Sequence, residues 1–597
     1  MAKNKKKIAL NAITLGGLVA SQVGLFAGPA SAAAVTVTNC NDSGAGSLRQ
    51  ALEDNNSAGG ATISFDLSCD TITALSPLYI ERNVSIFGPG ADELTVKSDD
   101  ANAQATFIIN DDGETNLDLS SVEFSGLTIV SARDVVDGVS TSAIRVGPNW
   151  LSNLMSLDEL DLTVTDSKLI GIGNAGLGIN ALLTGQSVVT VDNTEFTIGD
   201  AAEYPGQNNA YGMEVYGAAE VNITDSYMHD LNGTALNAIG ANGVPSNVSI
   251  ENSNFDGVGR IFVQTEGNLD ITNSYIASQS EGSISLEAPG TVTLTNSTLI
   301  GNVFSEGTMI SAGYEIRLFS DTIVVKDIPS LSAFMYAGII TMAGTIIASE
   351  TGDDFNCMYM GGNDLGGNLA TNSGCVVNDS GASASGDSSV VSWADLDLGE
   401  PGRNITNPTN SGDIFSIPIG EESVARDYYT YDQLDTLNRG DYVAVNADVR
   451  GVSRPANGKN DVGAYEYAQD EVLCAATQKL GTVNFDAFSS TLNKKAKMKL
   501  RNIAQEIVAS GCSSIILKGY TSTNVWGSNS KSTAKTLAAS RTKAVKKFLS
   551  KLLEDSQVTV SFERKAIGNS KPVATNNTFA GRAKNRRVEI IVTPTVG

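Results

Sequence analysis

The feature that most constrains this chain is a short motif that returns at similar intervals along its first two thirds. Val189-Thr-Val-Asp-Asn-Thr-Glu-Phe196, Val221-Asn-Ile-Thr-Asp-Ser-Tyr-Met228 and Val248-Ser-Ile-Glu-Asn-Ser-Asn-Phe255 share it, and Leu269–Ile276 and Val292–Leu299 continue it. Each copy reads apolar-polar-apolar, then an Asn/Asp-Ser/Thr corner, then a polar-apolar step. The alternation has the period of a strand with one buried face. Asn or Asp at the corner tolerates left-handed backbone. With that residue as the marker, copies fall at 166, 193, 225, 252, 273 and 296, with degenerate copies at Ser320 and Ala343, spaced by 21 to 32 residues. Such a rung length, with no helical period between copies, predicts a solenoid of stacked strands. The alternative is a β-sandwich, which turns every ~8–12 residues without a recurring corner.

A solenoid has to cover its ends. Ser47-Leu-Arg-Gln50 is a helix capping box followed by apolar Leu48, Ala51 and Leu52 positions, which predicts a short helix closing the N-terminal end. Residues 361–390, rich in Gly, Ser and Asn, read as loop. Ahead of all this, Lys3, Lys5, Lys6 and Lys7 precede an apolar stretch from Ile8 to Ala27 and the small residues Ala30-Ser31-Ala32, the anatomy of a secretory signal over 1–34. An uncleaved membrane anchor is the other reading of that stretch. No uninterrupted apolar span of ~20 residues follows it, so no transmembrane helix is expected in the mature chain.

Export makes disulfides the natural state of the six cysteines. Six allow ~15 connectivities, and sequence locality favours Cys40 with Cys69, Cys357 with Cys375, and Cys474 with Cys512. Zinc is the alternative, without a CxxC spacing to support it, and no metal or cofactor is expected.

Charge divides the chain in two. From Glu471 onward 15 Lys and 6 Arg stand against 7 acids, a balance of +14, whereas residues 35–470 hold 59 acids and 15 bases, −44. Polyanions, nucleic acid included, should avoid the body and could approach the tail. The boundary separates a body, 35–470, from a C-terminal domain, 471–597.

In that domain the pattern changes to strands alternating with helices. Thr482–Phe485 reads as a strand, and Leu492, Ala496, Leu500, Ile503 and Ile507 step by three and four along a helix face. Ser514–Lys518 is the next strand, Leu537, Ala544, Val545, Phe548 and Leu552 mark a second helix, and Val558–Phe562 and Val588–Val592 complete a small sheet.

Two resemblances follow from particular residues. Gly46-Ser-Leu-Arg-Gln-Ala-Leu52, Ala447-Asp-Val-Arg-Gly451, Arg454-Pro455 and Asp461-Val-Gly-Ala-Tyr-Glu466 resemble secreted bacterial right-handed parallel β-helix proteins of the pectin-lyase-like class, over about 35–467. Gly568, Pro572, Asn577, Thr578 and Gly581-Arg-Ala-Lys-Asn-Arg-Arg-Val-Glu-Ile590 resemble the peptidoglycan-associating domain of the OmpA family, as do Gly519-Tyr-Thr521, Leu537, Arg541 and Val545. The fold expected is therefore mainly β: a right-handed parallel β-helix, then a small βαβαββ domain similar to OmpA.

The second resemblance implies a site. In that family a loop Asp and a helix Arg hold the diaminopimelate of a peptidoglycan stem peptide, an ammonium meeting a carboxylate and a carboxylate meeting a guanidinium fork. Arg541 matches the Arg, Ser522 stands at the Asp position, and Ala534 and Ala538 replace a helix Asn and Ser. The ligand residues implied are Thr521, Ser522, Arg541, Asn585 and Arg586, with Arg586 and Arg587 also able to pair inside the domain or with wall polymer. The partners expected are peptidoglycan or another anionic wall polymer, and a surface glycan for the body, with no nucleic acid, in a secreted protein of the cell envelope. No lipid-facing β-barrel is expected in the body.

Members of the β-helix class include lyases and glycosidases, and fold does not fix chemistry. Asp192, Asp225 and Glu251 fall near corresponding rung positions, Asp353 and Asp354 are adjacent, and His229 is the one histidine. Glycosidases need two carboxylates ~5–10 Å apart, but among 59 acids such pairs arise by chance. The expectation is a body that binds without catalysis, with a wall-anchored lyase or hydrolase as the rival.

Overall fold

The computed structural model describes residues 34–593 with interruptions, the longest being 132–140, 148–158, 199–209, 376–387, 404–413, 435–443 and 468–476. Residues 1–33, Asp353, Asp354, Cys474, Cys512, Asn577 and Thr578 lie outside the described residues, and with them the signal and the third disulfide. Ala34, placed with the signal by sequence, already belongs to the strand Ala34–Val37.

The body is a parallel solenoid with three strands per rung. One ladder runs from Ala34–Val37 through Asn247–Glu251 and Thr291–Thr295 to the long strands Ala333–Ala343 and Cys357–Asp364. A second, from Leu78–Ile80 through Arg260–Gln264, joins the same two long strands. The third, 13 strands from Thr71–Ala74 to Ser389–Val390, follows the corner in each rung. The motif's first apolar residues stack in register as Val189, Val221, Val248, Leu269, Val292 and Ile316, all at most 1% exposed.

The corner explains the motif. Asp166, Asn193, Asp225, Asn252, Asn273, Asn296 and Ser320 all have φ between 46° and 58°, the left-handed region that Asn and Asp enter most readily among side-chain-bearing residues. There the corner N–H extends the ladder, as from Asn252 to the Thr272 carbonyl at 3.1 Å and from Asn273 to Thr295 at 3.0 Å. The Ser that follows is buried and does two jobs. Its hydroxyl donates to the carbonyl two residues back at 2.7–2.9 Å in Ser226, Ser253, Ser274 and Ser297. It also accepts the N–H of the preceding rung, as from Ser226 to Ser253 Oγ and from Ser253 to Ser274 Oγ, both at 3.1 Å. Asp321 takes this place one rung on, accepting from the N–H groups of Ser297 and Phe319 at 2.8 and 2.7 Å.

Register moves one marker. Ala343 pairs with Phe319, so the corner equivalent to Ser320 is Gly344, with φ 61°. A Cβ there would sit 2.3 Å from the Tyr429 hydroxyl, so this corner loses its side chain to a ring seated on it. The ladder also starts earlier than the motif shows: Gly126 (φ 69°) is the corner before Asp166, and glycine hides it from a search for Asn or Asp.

Helix Leu48–Ala58 closes the N-terminal end, its Ser47 hydroxyl accepting from Gln50 N–H, with Leu48, Ala51 and Leu52 buried. Cys40–Cys69 and Cys357–Cys375 are both bonded. The loop expected over 361–390 is only partly loop: it begins inside Cys357–Asp364 and holds the strands Leu369–Ala370 and Ser389–Val390.

The described residues between 391 and 467 then fold back over the outer face of the third ladder. Phe415 N–H donates to Asn254 Oδ1 at 2.9 Å, and Ala464 N–H to Thr322 Oγ1 at 2.9 Å. Beneath this segment Thr298–Gly301, Thr322–Val325 and Ile346–Ser349 are buried on both faces, whereas Thr71–Ala74 and Lys168–Gly171 bury only alternate residues. Arg454, side chain wholly buried, clasps the segment: it donates to the carbonyls of Asp461 (3.0 Å) and Gly463 (2.6 Å) and meets Glu466 at 3.4 Å.

The C-terminal sheet has the order Gln478–Asn484, Arg587–Thr593, Ser514–Tyr520, Ser561–Gly568, the last pair parallel. The described residues of 496–507 are helical, with Ala496, Leu500, Ile503 and Ile507 buried. A further helix, Phe579–Asn585, stands before the last strand, which adds an element to the βαβαββ order expected. Helix Lys531–Asp555 buries Ala534, Ala538, Arg541, Val545, Leu549 and Leu553. This stripe is turned by about one residue from the one marked by Leu537, Ala544, Phe548 and Leu552, which are only half-buried. The tight spot is Gly519, where a Cβ would lie 2.5 Å from the Ala538 carbonyl. Small side chains at 534 and 538 thus serve a close helix–strand approach. Among the described residues no helix is long and apolar enough to cross a membrane.

Candidate functional site

Strand Ser514–Tyr520 ends at Thr521 and Ser522, and helix Lys531–Asp555 brings Arg541 beneath that end. Arg541 is 0% exposed, among the largest buried side chains of the protein. Its Nε donates to the Ser489 carbonyl at 2.8 Å and one terminal nitrogen to the Tyr520 carbonyl at 3.0 Å. The Phe485 ring centroid is 5.1 Å from the guanidinium carbon. Arg541 is therefore no helix-surface cation. Backbone carbonyls aim its planar fork at the strand end.

Thr521 is 6% exposed and its N–H donates to the Gly568 carbonyl at 3.0 Å, while its hydroxyl is buried with no partner among the described residues. Ser522 is half-buried, and Thr523 N–H donates to Asn576 Oδ1 at 3.1 Å. Residues 524–530, the rest of this loop, lie outside the described residues. Tyr520 closes one side. Its hydroxyl donates to Glu589 at 2.9 Å, and Arg587 covers its ring at 3.7 Å while its Nε donates to Glu589 at 2.9 Å. Burial pushes the Glu589 carboxyl up, but the bonds from Arg587 and Tyr520 outweigh it and hold it below the usual range. Burial and that carboxylate push Tyr520 up to about 12.

Asn585 and Arg586 are placed differently from Thr521, Ser522 and Arg541. Asn585 is fully buried; its Oδ1 accepts from Val573 and Ala574 N–H, and its Nδ2 donates to the Ala574 carbonyl and Asn576 Oδ1. Its amide braces the 573–576 loop from within. Arg586 is 8% exposed, and its Nε donates to the Phe485 carbonyl at 2.9 Å, tying the last strand's start to the first strand's end.

The OmpA family model matches residues 484–586, a span that contains every one of these groups except Arg587 and Glu589. Residues 484–586 are an OmpA-family domain. The model of the right handed beta helix region matches residues 155–324 of the solenoid. The OmpA-family domain is similar to motility protein B of Bacillus subtilis (strain 168), 32% identical over 114 residues that make up 19% of this chain and 42% of that protein. The chain thus spans less than half the length of that relative. It is also similar to the peptidoglycan-associated lipoprotein from Burkholderia pseudomallei, at 25% identity over 19% of this chain and 89% of that one, TM-score 0.16. The cell wall anchor of the T6SS from Pseudomonas aeruginosa is 22% identical over 19% of this chain and 80% of that one, TM-score 0.16.

The β-helix carries a second cluster that the motif search passed over. On the open part of the third ladder, Lys168 Nζ meets Glu195 Oε1 at 2.7 Å, His229 Nε2 meets the same oxygen at 2.9 Å, and His229 Nδ1 meets Asp230 at 2.7 Å. The Tyr227 ring stacks on His229 at 4.3 Å. His229 is thus no ordinary surface residue: burial lowers its pKa, but Glu195 and Asp230 outweigh burial and raise it. Glu195 is driven down to about 2, since the bonds and charges of His229 and Lys168 outweigh its burial. A cleft of ≈ 670 Å³ beside them is lined by the 88–93 loop, Asp166, Lys168, Asn193, Glu195, Asp225 and Tyr227. The signal was in the sequence: Lys168, Glu195 and Tyr227 each stand two residues after a corner and pair in register. Of the carboxylates that the sequence picks out, Asp225 stands on the wall of this cleft and Asp192 and Glu251 do not line it. Asp192 and Glu251 share one row with Thr224 between them, and Asp225 is a corner. Among the described residues no group of three or more His, Cys, Asp or Glu is placed to hold a metal ion.

Proposed function

We propose that this is an exported cell-envelope protein held non-covalently to peptidoglycan by its OmpA-family domain, presenting an acidic β-helix for adhesion or surface architecture. What carries the reading is Arg541: a guanidinium buried under a strand end, aimed by two backbone carbonyls, next to Thr521, whose buried hydroxyl has no partner among the described residues. A stem-peptide carboxylate suits that fork, and Thr521 and Ser522 can hydrogen-bond the amino group beside it. Ser522 supplies no charge, so the ammonium is held more weakly than a carboxylate would hold it.

The test is sedimentation of the full chain with purified peptidoglycan at physiological salt. Wild type should pellet, Arg541→Ala should stay in solution, and Ser522→Asp should pellet at lower peptidoglycan concentration. Attachment that is equal in all three and vanishes with salt would reduce the domain to nonspecific charge attraction.

One observation favours a second reading, a wall-anchored lyase or hydrolase: the Lys168–Glu195 cleft offers a groove with acids on its walls. Glu195 at about 2 stays ionised and cannot serve as the general acid of a glycosidase near neutrality. Reducing-end release from a panel of neutral and acidic polysaccharides, lost in Glu195→Gln, would establish the enzyme in place of the binding role.

A further inference from the structure

We infer that the outward face of helix Lys531–Asp555 is a docking surface for a phosphodiester polymer linked to the wall, a second contact apart from the Arg541 pocket. It rests on the reading of this domain as a wall anchor. From Lys531 to Leu553 the helix holds six Lys and one Arg and no acid. The buried stripe takes Arg541 inward and leaves Lys535, Lys543, Lys546, Lys547 and Lys551 exposed. None of the five has an ion pair among the described residues. Lys543, Lys547 and Lys551 repeat every fourth residue, a rise of about 6 Å per step, which makes a track of cations about two turns long.

This density is no general property of the chain, whose residues 35–470 carry 59 acids against 15 bases. A polyanion drawn to the protein has this helix to meet and an acidic body to avoid. On the neighbouring edge strand Arg564 is exposed too, and the acid beside it, Glu563, is engaged by Lys565 at 3.1 Å. Lysines act on phosphate as point charges and need no fixed fork, which suits a flexible chain of phosphodiesters. The exposed positions of the helix are Lys, Thr and Ser, with no ring on which bases could stack. Single-stranded nucleic-acid binders rely on such rings, so a wall polymer is the better match.

The experiment uses the full chain and two preparations of one bacterial wall, intact and stripped of phosphodiester-linked polymer with hydrofluoric acid. The variant K543Q/K547Q/K551Q keeps strong helix formers on solvent-facing positions, and its circular dichroism should equal wild type. On intact wall at about 0.15 M salt it should bind on the order of 100-fold more weakly, about fivefold per lysine, with a shallower salt dependence. On stripped wall it should equal wild type. Equal loss on both walls, or no loss on intact wall, would overturn the proposal. So would displacement of wild type from intact wall by DNA at lower concentration than by the purified polymer. If wild type ignores stripped wall yet binds intact wall through these lysines, the pocket reading fails and this one stands.

Discussion

Replacing Arg454 by Met should release the fold-back segment from the β-helix without unravelling the rungs beneath it. Arg454 is wholly buried and donates to the carbonyls of Asp461 and Gly463 while facing Glu466, whose side chain is 1% exposed. Methionine fills much of the volume but leaves Glu466 buried without its cation and two carbonyls short of a donor. Removing one partner of a buried pair costs about 3–5 kcal/mol. The loss falls on local opening rather than global unfolding, because each rung leans only on its neighbours. Hydrogen exchange reads it directly. The amides of Val462 and Gly463, bonded to the carbonyls of Ala425 and Gly344 at 2.9 and 2.7 Å, should exchange roughly two to four orders of magnitude faster. Those of Val248 to Glu251 should not change. Adding Glu466→Gln should recover part of the loss, since it removes the buried charge while its single amide oxygen can still accept from one of the two N–H groups, Ala456 or Asp461, that now bond separate carboxylate oxygens. Unchanged exchange at 462–463, or acceleration spread evenly over the rungs, would refute the clasp.

The single histidine makes a clean titration possible: the imidazole signal of His229 should show a midpoint above its ordinary 6.5, and Glu195→Gln should bring it down. Both His229 and Asp461 have raised values, Asp461 to about 7 by burial and the nearby Glu466 carboxylate. A group raised in the folded state stabilises fully below its unfolded value and loses that contribution as pH rises through the folded one. Resistance of the β-helix to proteolysis should therefore fall between about pH 4 and 8, and Asp461→Asn should flatten the acidic part of that fall. Ser253→Ala should destabilise its rung by about 1–3 kcal/mol, because Ser226 N–H loses its acceptor; local exchange at 226 measures it.

The solenoid was legible because its corner is local chemistry. A residue able to hold φ near 50° and a hydroxyl able to bridge two rungs must occupy adjacent positions, so the pair repeats in sequence. The pattern fades where another contact takes over, as at Gly344 under Tyr429 and at Asp321 in a serine's place. The Lys168–Glu195–His229 cluster was hidden for the opposite reason. Lys168, Glu195 and Tyr227 share a place two residues after their corners, but His229 stands two residues further on and reaches Glu195 only through a side-chain contact across the ladder. In the OmpA-family domain the strands were readable from alternation. The inward turn of Arg541 was not, because a cation on an amphipathic helix reads as solvent-facing until its carbonyl acceptors are known. Asn585 and Arg586 belong to the family's motif, yet the structure spends them on holding the domain together.

The most direct measurement is calorimetric titration of a soluble stem peptide containing diaminopimelate into the full chain. Saturable one-to-one binding that persists at high salt, is lost with Arg541→Lys and is strengthened with Ser522→Asp is the result expected of a pocket built around Arg541. No heat from the wild type, in a preparation that still pellets with peptidoglycan, would contradict it and leave the wall contact to the surface lysines alone.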